Sequence, residues 1–451
     1  MSGASDFTQV TLPAYSRQVL ANGLTLILVS RRTLPSVTLS LLLPSGAARD
    51  SQTKGGCASL TMSLLNQGTT AHDADFLAGA VDRLGARFST GTGWDSCSAG
   101  LTGLSEDLAE LLGLLAEISL TPTFPEEEFL IMKRRRLGAL ARSLDNPSIL
   151  ADWVFTVNLY DHHVYGHPIS GTARSVIRLT AADVRDFHRR HFVPGGAWLV
   201  IAGDFEAVST AARVQEAFGA WQGSPPEALS AAQSAPGQRR TIFVHREDLT
   251  QAHIRWGYDA VRRSHPDFDA LQVANYTLGG GEFSSRLMQR IRSDRGLTYG
   301  IRSSFDGRAL TGPFAISTFT PNASVIDVLE EIDGIVGAYR EEGPSEEELV
   351  AAKNRFIDGY PLLFETPSQL ASRLLEVELY GLPHDSLQTY QKRVASLETG
   401  TIRELTRAFL HPDRALVVVV GNEKAIPPGL ERFGTVERFD FRSVLGTPPA
   451  G

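Results

Sequence analysis

The chain is poor in cysteine, in long apolar runs and in basic charge. Its 451 residues include two cysteines, Cys57 and Cys97, so at most one disulfide can form and a reducing compartment fits best. Apolar runs such as residues 415–420 are strand-sized, far short of the ~20 residues that a membrane helix needs. The N-terminus has no basic start followed by an unbroken apolar stretch, so we expect no secretory signal. These features predict a soluble, cytoplasmic protein without a membrane partner.

The charge balance also limits the partners. Asp and Glu number 51 against 43 Lys and Arg, which gives a net charge of -8. Nucleic-acid binding needs a basic face, so we expect no nucleic-acid partner. With 42% apolar residues over 451 positions, the chain is too long for one ordinary core and predicts two or more domains.

A composition break divides the chain almost equally. Residues 223–238, GSPPEALSAAQSAPGQ, are typical of a linker, so we predict domains over residues 1–222 and 239–451. Residues on the two sides match at a constant offset of 218, which indicates two copies of one fold (397−179 for the first pair). The matching pairs are Leu179 and Leu397, Val184 and Ile402, Phe192 and Leu410, Pro194 and Pro412, and Gly203 and Gly421.

The order of elements in each copy predicts the fold class. Each copy opens with strand-like segments, the first containing an Asn22-Gly23 hairpin turn, and continues with amphipathic helices and a late apolar strand. This order favours α+β, with a mainly antiparallel sheet packed against helices in each domain, over a doubly wound sheet.

Residues 56–69, GCASLTMSLLNQGT, have the frame of an inverted zincin helix without its functional residues. In the signature H-x-x-E-H, two His bind zinc and the Glu activates a water. Those positions fall on Ser59, Met62 and Ser63. A hydroxyl is not among the zinc ligands of proteins, and a thioether suits softer ions. We therefore predict that this helix holds no zinc and that its serines form a polar stripe.

Five motifs in order resemble the insulinase/pitrilysin-like zinc metallopeptidases, the inverzincins. They are the Asn22-Gly23 hairpin, the helix of residues 56–69, the segment GARFS of residues 85–89, YGHPISGT from Tyr165, and TLGGGEFSSRLMQRIRSDRGLTYGI in the second half. The resemblance implies a third zinc ligand near Ala139, but residues 129–144 contain no acidic residue. It also implies half of a clam that encloses a chamber, with any zinc carried by a partner subunit.

The second family signature is intact, and by resemblance it supplies Arg292 and Tyr299, seven residues apart. We predict a helix over residues 284–293 and a strand over residues 297–301. A guanidinium and a phenol are donors that suit a scissile carbonyl and its oxyanion. The structural alternative is an Arg that satisfies helix-end carbonyls and a Tyr in the core.

The resemblance also assigns roles to further segments, and a simpler structural alternative is given where one exists. The family's mobile glycine loop corresponds to Gly279, Gly280 and Gly281, for which a plain helix-to-helix turn is the alternative. A strand edge for an extended peptide is expected at the segment GARFS. We interpret the clustered histidines, His162, His163 and His167, as turn and surface residues, and His188 and His191 as part of a solvated face. The residues of GARFS are Gly85, Ala86, Arg87, Phe88 and Ser89.

These features lead to the hypothesis of a non-catalytic subunit in a heterodimeric zinc endopeptidase. The chain would supply Arg292 and Tyr299 in trans to a homologous H-x-x-E-H partner, and the enclosed chamber would admit peptides or unfolded segments. The alternative is a catalytically dead homodimer that serves as a scaffold or captures peptides. An enzyme with unrelated chemistry finds no support at recognised motif spacing.

Overall fold

The structure, a computed structural model, describes residues 9–229 and 238–441. The strands are β1 (Ser16–Val19), β2 (Thr25–Ser30), β3 (Ser36–Leu43), β4 (Arg87–Thr92), β5 (Cys97–Leu104), β6 (Trp198–Gly203), β7 (Arg240–His245), β8 (Gln251–Asp259), β9 (Ile301–Phe305), β10 (Pro313–Pro321), β11 (Leu416–Gly421) and β12 (Thr435–Asp440). The helices are α1 (Cys57–Leu64), α2 (Ala74–Arg83), α3 (Leu108–Leu120), α4 (Glu126–Asp145), α5 (Pro147–Leu159), α6 (Ala173–Arg178), α7 (Ala181–His191), α8 (Ala207–Phe218), α9 (Phe268–Asn275), α10 (Val325–Glu342), α11 (Glu346–Asp358), α12 (Pro367–Leu379), α13 (Ser386–Ala395) and α14 (Thr399–Phe409).

Two six-stranded sheets organise the chain. Their strand orders are β1-β2-β6-β3-β5-β4 and β12-β7-β11-β8-β10-β9. In each sheet a parallel pair, β2 with β6 or β7 with β11, is followed by three antiparallel pairings. The sheets differ at one edge, where β1 is antiparallel to β2 but β12 is parallel to β7. The prediction of α+β copies with mainly antiparallel sheets is confirmed.

The constant sequence offset also holds for the elements themselves. Helices α7 and α14 begin 218 positions apart (399−181), and strands β6 and β11 do the same (416−198). Both strands are apolar along their length and buried at the centre of their sheets. Each copy of this helix–strand unit therefore occupies the same place in its sheet.

The two halves exchange helices. The second-half helix α12 packs Leu370 and Leu374 against Ile27 of the first sheet. In return, the first-half helix α5 packs Leu150 and Val154 on apolar residues of β7 and β11. One face of each sheet is thus covered by the other half. The predicted boundaries stay a prediction, and residues 230–237 of the linker lie outside the described residues.

No helix among the described residues is long and apolar enough to cross a membrane.

Candidate functional site

Helix α1 presents a half-buried polar face where the zinc motif would lie. Its N-terminus is held by Asp50, whose carboxylate accepts hydrogen bonds from the backbone N–H groups of Gly56 (2.7 Å) and Ala58 (2.8 Å). Met62 is 2% exposed and packs in the core of the first half. Ser59 and Ser63 are half-buried, and the Ser63 hydroxyl donates to the Ser59 carbonyl at 2.9 Å. Met62 therefore lies in the core, whereas Ser59 and Ser63 lie on the half-buried face of α1.

These residues do not fit zinc. Two hydroxyls and a core thioether replace the imidazole and carboxylate groups that zinc takes up. Ala139, near the expected third ligand, is exposed on α4. Among residues 9–229 and 238–441, no group of three or more His, Cys, Asp or Glu side chains could hold a metal ion.

The sequence did not predict that the guanidinium of Arg136 contacts this face of α1. Arg136 on α4 donates from Nη2 to the Ser63 hydroxyl oxygen at 3.2 Å. Burial lowers the pKa of Arg136, because the charged form loses water. The sequence signal was the basic run of residues 133–136, KRRR, within a segment without acidic residues.

The predicted peptide-binding segment lies at an open sheet edge. Gly85, with φ of 56°, ends α2, and the Ala86 N–H bonds to the Val81 carbonyl at 3.0 Å. Strand β4 then begins and pairs with β5, with Arg87 opposite Thr102. Because β4 is the last strand in the order, its second edge has no partner among the described strands. Helix α1 lies against β4.

The first three side chains of β4 alternate in exposure. Arg87 and Ser89 are exposed, whereas Phe88 is half-buried and packs against the core of the first half. This alternation fixes which face of β4 meets the core.

Arg292 is half-buried, whereas Tyr299 is exposed. The Cζ of Arg292 lies 4.4 Å from the centre of the Phe283 ring, and Phe283 itself is 59% exposed. Tyr299 is 77% exposed, so the alternative that places it in the core is wrong. Within the described part of the chain, neither side chain forms a hydrogen bond or an ion pair with protein.

The local structure around this pair differs from the prediction. The predicted helix is present, but Met288–Asp294 is wound as a π-helix, a form that is frequent at functional sites. The predicted strand over residues 297–301 is wrong, because β9 begins at Ile301 and Tyr299 lies in the preceding loop.

The glycine run extends α9 as a second π-helix, Tyr276–Gly280. A Cβ on Gly279 would lie 2.4 Å from Ser303 Oγ, and one on Gly281 would lie 2.6 Å from the Tyr276 carbonyl oxygen. Glycine is therefore required for this segment to pack on β9. The next residue, Glu282, has φ of 43°, a strained conformation for a side-chain-bearing residue.

A cavity of about 1160 Å³ lies between α9, α11, α12 and α13. Two of its carboxylates are already paired: Glu376 contacts Arg263 and Arg373 at 2.8 Å each, and Asp269 contacts Arg393 at 2.7 Å. We interpret these charges as a structural network that joins the helices.

Two family models match the chain. The model described as insulinase (peptidase family M16) matches residues 25–144, and the model described as peptidase M16 inactive domain matches residues 178–356. The chain belongs to the insulinase family, M16. It lacks the family's H-x-x-E-H motif, since residues 59–63 read SLTMS.

Relatives of this M16 chain include proteins with different names. An "uncharacterized zinc protease" of Mycobacterium tuberculosis (strain CDC 1551 / Oshkosh) is 26% identical and covers 92% of this chain and 95% of its own length. A "non-peptidase homolog", YmxG of Helicobacter pylori (strain ATCC 700392 / 26695), is 24% identical over 87% of this chain and 90% of its own. A crystal structure of a peptidase M16 inactive domain from Pseudomonas fluorescens aligns with a TM-score of 0.86 and 27% identity, covering 92% and 99% of the two chains.

Proposed function

We propose that this chain is the non-catalytic subunit of a two-subunit zinc endopeptidase. The observation that carries the proposal is the contrast between its two halves. The described residues of the first half include no group that fits zinc. The second half presents Arg292, which stacks on Phe283 but has no hydrogen bond or ion pair within the described residues, and Tyr299 at 77% exposure. Donors without a local reaction centre imply a centre on another chain, here a homologous H-x-x-E-H subunit that carries zinc.

Both groups have chemistry suited to peptide cleavage. A guanidinium and a phenol can donate to a scissile carbonyl and, more strongly, to the oxyanion that forms on it. Stacking on Phe283 restrains the Arg292 guanidinium, which reduces the ordering cost when it binds. One such donor is worth about 3 kcal/mol of transition-state stabilisation.

The substrate class follows from the open edge of β4. An extended peptide can add to such an edge through main-chain hydrogen bonds, with alternate side chains giving selectivity. We therefore propose peptides or unfolded segments as substrates. Both cysteines are free and buried, which suits a reducing compartment such as the cytoplasm.

The test is co-expression with an H-x-x-E-H relative, followed by metal analysis and peptide cleavage. We expect about one zinc per heterodimer, and a fall in turnover of about two orders of magnitude with Arg292→Ala or Tyr299→Phe, the usual scale for a lost oxyanion donor. Arg290→Ala is the matched control, because Arg290 lies on the same π-helix but pairs with Glu331 at 3.1 Å.

Two results would contradict the proposal. One is a self-sufficient homodimer that ignores the zinc-bearing relative, which would favour the scaffold alternative. The other is unchanged turnover in both the Arg292 and Tyr299 variants.

A further inference from the structure

The middle of helix α4 carries clustered basic charge. Residues 129–144 contain five basic and no acidic residues, whereas the two ends of α4 carry Glu126, Glu127, Glu128 and Asp145. Lys133 is engaged, since its Nζ donates to the carbonyls of Ile177 and Leu179 at 2.7 Å each. Within the described residues, no carboxylate pairs with the guanidinium groups of this helix, which are Arg134, Arg135, Arg136 and Arg142.

Arg136 differs from the other three arginines by its position. It is half-buried, whereas the others are exposed. A guanidinium has five N–H donors, and in the described structure Arg136 uses one of them, on Ser63 at 3.2 Å. A charge removed from water without an opposite charge is costly, so a site that keeps one is suited to receive an anion.

The elements around Arg136 indicate which kind of molecule would carry the anion. Helix α1 packs against both α4 and β4, so Arg136, Ser63 and the open strand edge belong to one neighbourhood. A peptide added to β4 would pass beside this helix. Its carboxylate groups are the anions that a planar guanidinium binds best, through two parallel hydrogen bonds.

We infer that Arg136 and Ser63 form a binding site for a polypeptide carboxylate where relatives with the intact motif have a metal site. The carboxylate is a peptide C-terminus or an Asp or Glu side chain. The inference rests on the proposed function only for the entry of polypeptide into the chamber. The site carries a fixed positive charge of its own, so binding requires neither zinc nor the partner.

The experiment measures fluorescence anisotropy of labelled eight-residue Thr/Val peptides with the full-length chain alone. One peptide has a central Glu and an amidated C-terminus, the second replaces Glu by Gln, and the third has Gln with a free C-terminus. We expect at least one carboxylate peptide to bind tenfold or more tightly than the neutral one. The Glu arm identifies a side-chain carboxylate, and the free-terminus arm identifies a C-terminal one.

Variants separate a specific site from diffuse attraction. Arg136→Gln should abolish the preference, and Arg136→Lys should retain part of it. Arg134→Gln makes the same charge change at an exposed position of α4 and should leave the preference intact. Equal weakening by Arg134→Gln and Arg136→Gln, equal binding of all three peptides, or no binding would overturn the inference. Because no cleavage is measured, this result is independent of the Arg292 and Tyr299 test.

Discussion

His188 should make the folded protein sensitive to mild acid. Its Nε2–H donates to the Ser119 carbonyl at 2.9 Å, and its ring lies 5.3 Å from that of Phe124 and 4.3 Å from that of Phe192. Burial lowers the pKa of His188 from 6.5 to about 4, because the imidazolium would lose its water. The native state therefore keeps this ring neutral at pH values where the unfolded chain protonates it.

The direction in which the free energy of unfolding changes with pH follows from proton uptake. Between pH 6.5 and about 4 the unfolded state binds more protons at His188, so this contribution to stability is complete above pH 6.5 and is lost as pH falls. At about 1.4 kcal/mol per pH unit, the loss approaches 3 kcal/mol at pH 4. The pKa values of His191 and His253 are also lowered to about 4, which adds in the same direction. Burial raises the pKa of Asp50 to about 7, which acts in the opposite direction.

The assay is urea denaturation of the parent chain and of His188→Gln from pH 4.5 to 8. Glutamine can still donate to Ser119 but does not titrate, so the variant should lose less stability on acidification, by about 2 to 3 kcal/mol. Contributions of Asp50, His191 and His253 are common to both proteins and cancel in the difference. His162→Gln, at an exposed position, is the control. Parallel curves for the parent and His188→Gln would refute the reasoning.

Two further predictions concern packing. Gly279→Ala should lower the free energy of unfolding by about 1 to 3 kcal/mol in thermal melts, because its Cβ would lie 2.4 Å from Ser303 Oγ. Gly334→Ala on α10 is the control, since its Cβ has nothing within 4 Å, and it should be neutral or stabilising in the same melts. Residues 9–222 expressed alone should bind the dye ANS, because Ile27 and its apolar neighbours lose the cover of α12. If this fragment is instead a monomer that unfolds cooperatively and does not bind the dye, the first half does not need α12 in order to fold.

The sequence predicted what depends on residue identity and spacing. The offset of 218 located equivalent helices and strands, because an apolar strand next to a capped helix leaves a clear periodic pattern. The absence of zinc ligands from α1 could be predicted from the sequence, since residue identity alone shows that hydroxyl and thioether groups stand at the motif positions. The contact between Arg136 and Ser63 could not be predicted from the sequence. It joins residues 73 positions apart and depends on how α4 packs on α1.

The strand predicted around Tyr299 was wrong for a local reason. Residues 297–301 have strand-like composition, but side-chain hydroxyl groups replace the expected backbone pairing. The Thr320 hydroxyl donates to the Leu297 carbonyl at 2.6 Å, and the Thr318 hydroxyl donates to the Gly300 carbonyl at 2.9 Å. Such bonds compete with the sheet ladder, and they hold Tyr299 in a loop where its side chain stays exposed.

The surface position predicted for the clustered histidines is confirmed for His162 and wrong for His163. His163 lies in a turn, as predicted, but it is 6% exposed and lies against Tyr160 and Tyr165. The Tyr160 hydroxyl donates to Asp259 of the second half at 3.0 Å. A single-sequence pattern contains the polarity of these residues but not the second half that packs over them.

Loss of the metal motif is compatible with an intact fold because α1 is held by other contacts. Asp50 caps its first turn, Lys54 pairs with Asp183 just before it, and Met62 packs in the core. The hydrogen bond from Arg136 to Ser63 links α1 to α4 but is worth only about 1 to 2 kcal/mol, so packing must fix the helices. Neither the Asp50 cap nor the core contact of Met62 uses the half-buried face of α1 that carries Ser59 and Ser63, so the residues on that face can differ from the family motif while the contacts that hold the helix stay in place.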